Sequence, residues 1–376
     1  MRPVHLLVDV GDPLFAQDDV HHEIEALDRE RHIYLAREHR TPERILTWID
    51  LHFGGTYASD AAASGVWIAQ DAGRPVGFAA FDARGLRYDD VRFWQAREGV
   101  GIVGPLGVLP EARGRGIGAA LVHAACFSMR ERGYRQAVFA AVAEPEHAAF
   151  LERHAHARFV ATVDERATRR YRTTVLASGA GSNLVGLLGA VARDELPLDV
   201  RALVVNRPGA GALVHAAVAG VATHVVAWAK PSETRDAYDE RVIAAVAATE
   251  PELVLLLGWM HVLPATFLAR FPETLNLHPA ALPLDPTRDT VTMPDGIEIP
   301  AFRGAHAFDD ALAAGLGWSG ATVHAVGVAI DRGAVYARAP LALPADVPRA
   351  DLETRLHALE RTVVATAVRR WARERP

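Results

Sequence analysis

Asn276 and His278 stand two residues apart in Thr274-Leu275-Asn276-Leu277-His278, a short apolar stretch that Pro279 ends. This spacing predicts a strand with both polar side chains on one face. Proline stops the strand because it brings no N–H. A carboxamide and an imidazole side by side at a strand's carboxyl end can stabilise an oxyanion and move a proton. A single histidine in such a place is more often a hydrogen-bonded structural group, and the chain has 17 of them. Neighbouring residues must therefore decide. Asp331, in Ile330-Asp331-Arg332-Gly333, follows a predicted strand over 320–326 and is the carboxylate that can partner His278. Taken alone it reads as a turn aspartate.

These groups need a scaffold, and the pattern around them supplies one. Leu253 to Leu257 are five consecutive apolar residues after Pro251-Glu252. They predict a strand buried on both faces, as in a parallel sheet. A strand over 173–177 runs into Ser178-Gly179-Ala180-Gly181-Ser182-Asn183-Leu184 and then a helix. A glycine turn that opens a helix is a natural phosphate site. A dinucleotide fold is the rival reading, but no glycine stands at position 184 and Asn206-Arg207 ends the next strand without a ribose-binding carboxylate. Arg207 leaves a 2′-phosphate open, and a phosphomonoester fits better. Helix 235–249, with Tyr238, Val242 and Val246 on one face, continues an alternation that implies a parallel sheet covered by helices.

The first half shows a similar device. A hairpin is expected from Gly65-Val66-Trp67-Ile68-Ala69 through Asp71-Ala72-Gly73-Arg74 to Val76–Phe81. A strand ending at Val108 then leads into Arg113-Gly114-Arg115-Gly116-Ile117-Gly118 and a helix to about Arg132. Glycines there let backbone N–H groups approach a pyrophosphate at the helix's positive end. Residues 1–60 mix helix-like and turn-like segments and carry no assignable task. The chain turns charged around 164–171, and a junction near 168–171 sets domains at 1–170 and 171–376.

Composition narrows the classes. The 376 residues are 50% hydrophobic and 23% charged with a formal charge of −6, and no arginine block runs along one stretch. That argues against nucleic-acid binding as the main task. No apolar run reaches a membrane span of about 18 residues, and the start lacks the pattern of a signal peptide, so a cytoplasmic protein is expected. Cys126 is the single cysteine, which excludes an internal disulfide and a multi-cysteine metal site. Lys230, the only lysine, matches neither a Walker loop nor a Schiff-base motif. No metal is expected.

The 113–118 segment resembles the acetyl-CoA-binding segment of the GNAT acetyltransferases, and Ala149–Arg153 with Ala157-Arg158-Phe159 resembles a later part of that family over roughly 55–165. The resemblance implies acetyl-CoA held by Val108, Arg113, Gly114, Arg115, Gly116 and Gly118. Leu151 stands where that family often places a tyrosine acid, which favours coenzyme binding over acetyl transfer. Residues 172–376 resemble the 10-formyltetrahydrofolate-dependent formyltransferases that act on phosphorylated amines, on three motifs: 178–184, Asn276–Pro279, and Thr322-Val323-His324 with Asp331-Arg332-Gly333. The resemblance implies an α/β chain, a GNAT-like α+β domain followed by an open, mostly parallel, Rossmann-like formyltransferase domain. It implies Asn276, His278 and Asp331 as catalytic residues, and Gly181, Ser182 and Asn183 as holders of the substrate phosphate. Leu257, Met260, His261, Val262 and Leu263 would line the folate pocket with His324 nearby, Arg235 lying on the folate side and Glu360 toward the substrate amine. Formyltransferases acting on methionyl-tRNA or amino sugars share the Asn-x-His and Asp set without this phosphate loop. The stretch 284–299 departs from the family as an insertion beside the acceptor. An acetyltransferase, or an acetyl-CoA sensor, whose second domain acts on a different amine or only binds ligand is the alternative. Either way the expected partners are small molecules.

Overall fold

The computed structural model describes residues 4–62, 64–82, 99–162 and 169–375. It contains two compact units, one up to residue 166 and one over 167–372. The junction expected at 168–171 begins within residues 163–168, outside the described set.

The first unit contains β1 (Val4–Asp9), α1 (Gln17–Arg31), β2 (Ile33–Glu38), α2 (Glu43–His52), α3 (Tyr57–Ala61), β3 (Gly65–Asp71) and β4 (Arg74–Phe81). After these come β5 (Val100–Val108), α4 (Ile117–Glu131), β6 (Gln136–Val142), α5 (Pro145–Ala155) and β7 (Arg158–Thr162). One seven-stranded sheet forms in the order β2-β3-β4-β5-β6-β1-β7. Residues 1–60, which the sequence left without a task, thus supply two strands, and β1 lies between β6 and β7. The β3–β4 hairpin turns at Ala72 and Gly73, both at positive φ.

The second unit runs β8 (Tyr171–Ala177), α6 (Ser182–Ala192), β9 (Leu198–Val205), α7 (Ala212–Val218), β10 (Ala222–Val225), α8 (Arg235–Ala247), β11 (Leu253–Leu256), α9 (Ala265–Arg270) and β12 (Thr274–His278). It continues with β13 (Thr290–Thr292), β14 (Glu298–Pro300), α10 (Ala307–Ala314), β15 (Trp318–Ala325), β16 (Val335–Ala342) and α11 (Arg349–Arg373). The main sheet has the order β10-β9-β8-β11-β12-β15-β16. Strands β10 to β12 are parallel and the last two pairings antiparallel.

Strand β11 is buried on both faces, as its unbroken apolar run predicts. Leu253 and Leu255 join the core under α6 and α11, and Val254 and Leu256 join the core under α8. Each such side chain contributes roughly 2 kcal/mol, which pins β11 between β8 and β12. Register then sets the site: Leu256 aligns with Leu176 on one side and Asn276 on the other. The segments after β8, β11 and β12 therefore leave one edge of the sheet together, where open α/β sheets bind ligands. In β12, Leu275 and Leu277 enter the core, so Asn276 and His278 share the opposite face.

Candidate functional site

Asp331 joins the site's groups. Its Oδ2 lies 3.5 Å from His278 Nδ1, and its Oδ1 lies 3.4 Å from His324 Nε2. Asn276 pairs with His324 across β12 and β15, and its Nδ2 lies 3.3 Å from His324 Nε2. The structure thus brings the three expected groups together and adds a fourth. The sequence places His324 only near the folate pocket. Its position opposite Asn276 follows from antiparallel pairing, which a single strand's pattern cannot reveal.

Local chain chemistry puts Asp331 there. It occupies the left-handed region at φ 52°, which aspartate tolerates better than most residues. Gly333 follows because a Cβ at that position would lie 1.6 Å from the Ala325 carbonyl oxygen. The turn closes only with glycine, and it returns Asp331 to the end of β15. The Gly304 N–H donates to Asp331 Oδ2 at 2.8 Å.

Proton positions follow from the partners. His278 Nε2 lies 2.7 Å from the Phe302 carbonyl oxygen, which only accepts, so Nε2 carries hydrogen. Nδ1 then faces Asp331 and gains a proton only when the ring is charged. His324 Nδ1 likewise donates to the Ala325 carbonyl at 2.8 Å. Burial holds His278 below the usual imidazole range; the Asp331 charge and the Phe302 carbonyl oppose this without overcoming it. Burial by itself would raise Asp331, but the His324 ring, which donates to it when protonated, the charge His278 carries when protonated and the Gly304 amide outweigh it and hold the carboxyl at about 2. The site therefore presents a carboxylate, an imidazole biased toward neutrality, and a half-buried carboxamide.

At the end of β8, Gly181 caps α6 at φ 85°, and a Cβ there would stand 2.7 Å from Ala212 Cα. No side chain caps this helix, so its first N–H groups remain available to an anion. Asn183 Nδ2 donates to Glu360 Oε2 at 2.9 Å, and Asn183 Oδ1 is buried with no partner. Burial raises Glu360, against the Asn183 hydrogen bond. A cavity of about 570 Å³ borders this turn, lined by Ser178, Gly179, Ala180, Arg207, Gly209, Ala210 and Gly211. Arg207, which the sequence offers only as a partner for a 2′-phosphate, lines this cavity beside the glycine turn.

The segment after β11 joins this turn: Ser178 N–H donates to the Gly258 carbonyl at 3.0 Å, and Met260 N–H donates to Ser178 Oγ at 3.1 Å. Leu257 is buried, whereas Met260 and Val262 are 47% and 60% exposed, apolar surface beside the polar site. Trp259 Nε1 is buried with no partner. His261 Nδ1 lies 2.9 Å from Tyr238 Oη. Burial pushes Tyr238 up to about 12 and lowers His261, which Arg235 and Lys230 also lower. Tyr238 is therefore the donor and neutral His261 the acceptor. Arg235 holds Asp239 with Nε at 2.8 Å from both carboxylate oxygens and donates to the Val262 carbonyl, tying α8 to this segment.

In the first unit, Gly116 caps α4 at φ 78°, again without a side-chain cap. Arg113 Nε donates to the Val108 carbonyl at 3.1 Å, and Arg115 pairs with Asp71 at 2.6 Å and donates to the Arg31 carbonyl. Arg115 is thus engaged on both terminal nitrogens, and Arg113 through its Nε alone. A side chain at Gly118 would press on Phe150, its Cβ 3.2 Å from that ring. Strands β5 and β6 pair only from Val100 to Val103, although β5 runs on to Val108 and β6 to Val142. Leu151 is buried and offers no proton.

The profile of the family described as Formyl transferase matches residues 171–286 and 299–368, and that of the Acetyltransferase (GNAT) family matches 22–159. The phosphoribosylglycinamide formyltransferase of Mycobacterium tuberculosis is 39% identical over 198 residues, 52% of this chain and 83% of that protein. The chain belongs to the formyl transferase family. It is a transferase that also carries a GNAT domain. The phosphoribosylglycinamide formyltransferase of Escherichia coli is 30% identical over 190 residues, covering 50% of this chain and 81% of that protein. Among solved structures, glycinamide ribonucleotide transformylase 1 from Geobacillus kaustophilus aligns at 29% identity with a TM-score of 0.47, over 54% of this chain and 98% of that one. The GNAT match starts at residue 22, ahead of the 55–165 stretch whose motifs resemble that family. The gap at 287–298 falls in the inserted stretch.

Proposed function

We propose that this chain transfers a formyl group from 10-formyltetrahydrofolate to the amine of a phosphorylated acceptor, phosphoribosylglycinamide, with Asn276, His278 and Asp331 as the catalytic set. The observation that carries the proposal is a carboxylate within 3.5 Å of two imidazoles, one of them against a carboxamide, at the sheet edge shared with an uncapped glycine turn. Gly181, Ser182 and Asn183 hold the phosphate through backbone N–H groups, and Glu360 faces the acceptor through Asn183. Leu257, Met260, His261, Val262 and Leu263 line the folate site with Arg235. The exposed Met260 and Val262 and the unpartnered Trp259 N–H suit a flat apolar ring with polar edges.

The folate, when bound, supplies the formyl carbon. Asn276 donates to the oxygen that becomes negative as the amine attacks. His278 takes up the amine's proton at Nδ1, the ring nitrogen without hydrogen, Asp331 stabilises the charged imidazole, and the proton is returned to the folate nitrogen as its bond to the formyl carbon breaks. His324 orients Asn276 through their shared hydrogen bond. The first domain, 1–170, binds acetyl-CoA at Val108, Arg113, Gly114, Arg115, Gly116 and Gly118. The partners are small molecules, and the chain works in the cytoplasm. Among the described residues no helix is long and apolar enough to cross a membrane.

Incubation with 10-formyltetrahydrofolate and glycinamide ribonucleotide tests the reading. Formylated product that disappears in His278→Ala supports it. Folate consumption without formylated amine, or full activity in the variant, overturns it.

A further inference from the structure

The hairpin β13–β14 occupies the stretch that the formyl transferase profile skips. It has its own small core, in which Val291, Met293 and Ile299 pack on Ala281, Leu282 and Ala301. At the turn, the Trp318 indole N–H donates to Asp295 at 2.7 Å. At the base, Asp289 receives Arg303 at 3.1 Å and also Arg332. Arg303 donates further to the Arg288 carbonyl at 2.8 Å, and Arg332 to the Pro286 carbonyl at 3.0 Å.

Both arginines adjoin the reacting groups. Arg303 Nε donates to the Asp331 carbonyl at 3.3 Å. Phe302, before it, supplies the carbonyl on His278; Gly304, after it, supplies the amide on Asp331. Arg332 directly follows Asp331. Arg303 therefore lies between the two backbone groups that contact the side chains of His278 and Asp331, and Arg332 adjoins Asp331. Asp331 needs such support, because φ 52° is a sparsely populated conformation for a residue other than glycine.

We infer that the base of the inserted stretch, and not its turn, serves the reacting groups: Asp289 is a positioning residue that fixes Arg303 and Arg332, and through them the segment 302–304 and Asp331. The inference rests on the formyltransferase reading. Its chemistry is electrostatic as well as steric. The charged and titratable groups facing His278 are Asp331, His324 and Arg303, and Asp289 is the countercharge that offsets the guanidinium of Arg303. An uncompensated arginine beside an imidazole disfavours its protonation.

The test uses the full chain in the formyl-transfer assay. Asp289→Ala is expected to lower kcat at least tenfold, with KM for folate and acceptor within threefold of the wild type. The acidic limb of its pH–rate profile is expected at lower pH. Asp289→Glu is expected to recover most of kcat, because it restores the charge between the two arginines. Asp295→Asn weakens the same hairpin at its turn and is expected to leave kcat within twofold, which separates positioning from loss of fold. A kcat for Asp289→Ala within twofold of wild type overturns the inference, as does an equal loss in Asp295→Asn or no recovery in Asp289→Glu. His278→Ala is run beside them. If it retains activity, the parent reading fails; if it alone is inactive, only the role of the hairpin fails.

Discussion

Replacing Asp331 by Asn removes one charge and keeps the shape. The amide oxygen can still accept the Gly304 N–H, so the change isolates the carboxylate's attraction for His278 and His324. The wild-type carboxyl is held at about 2 against an ordinary 3.8. Close to two pH units at about 1.4 kcal/mol each amounts to roughly 2 kcal/mol of stability. The side chain is only 10% exposed, so solvent screening removes little of it. The sign is set by the depressed folded value. The contribution is fully present above the unfolded carboxyl's range, near pH 4, and is lost as pH falls toward 2. Urea unfolding of wild type and Asp331→Asn is therefore expected to differ by about 2 kcal/mol at pH 7, with the gap closing between pH 4 and pH 2. In formyl transfer kcat is expected to fall about 10²–10⁴-fold, the range for losing acid–base assistance. Equal stability at pH 7 together with a kcat within threefold of wild type would refute the coupling of Asp331 to the imidazoles.

Replacing His278 by Gln is expected to lower kcat by about 10²–10⁴-fold with KM for folate little changed, read from folate turnover. Because burial lowers His278, the acidic limb of wild-type kcat/KM is expected below the ordinary imidazole value of about 6.5; a limb above that value contradicts the assignment. Gly181→Ala forces a Cβ against the Ala212 backbone at positive φ and is expected to cost roughly 1–3 kcal/mol and to raise KM for the phosphorylated acceptor; steady-state kinetics and thermal unfolding check both. Gly118→Val is expected to abolish acetyl-CoA binding, measured by titration calorimetry, because its side chain presses on Phe150 at the start of α4; formyl transfer by that variant is expected to stay near wild type.

Local order in the chain revealed the elements that carry the site. A run of five apolar residues announces a doubly buried strand. A glycine turn before a helix announces an anion site, and two polar residues two apart on β12 announce a shared face. These readings depend on periods of two and 3.6 residues and on glycine's freedom, which act over a few bonds. Tertiary structure decided what pairing over long distances controls. Strand β1 at the amino terminus lies between β6 and β7, some 130 residues on, and nothing local to Val4–Asp9 names those partners. His324 became the second imidazole on Asp331 because antiparallel pairing set it opposite Asn276. Phe302 reached His278, and Asp289 reached Arg303 and Arg332, through contacts between segments 14 to 43 residues apart. Residue types state which chemistry is available, whereas distances of about 3 Å between remote side chains exist only once the core has fixed the strands.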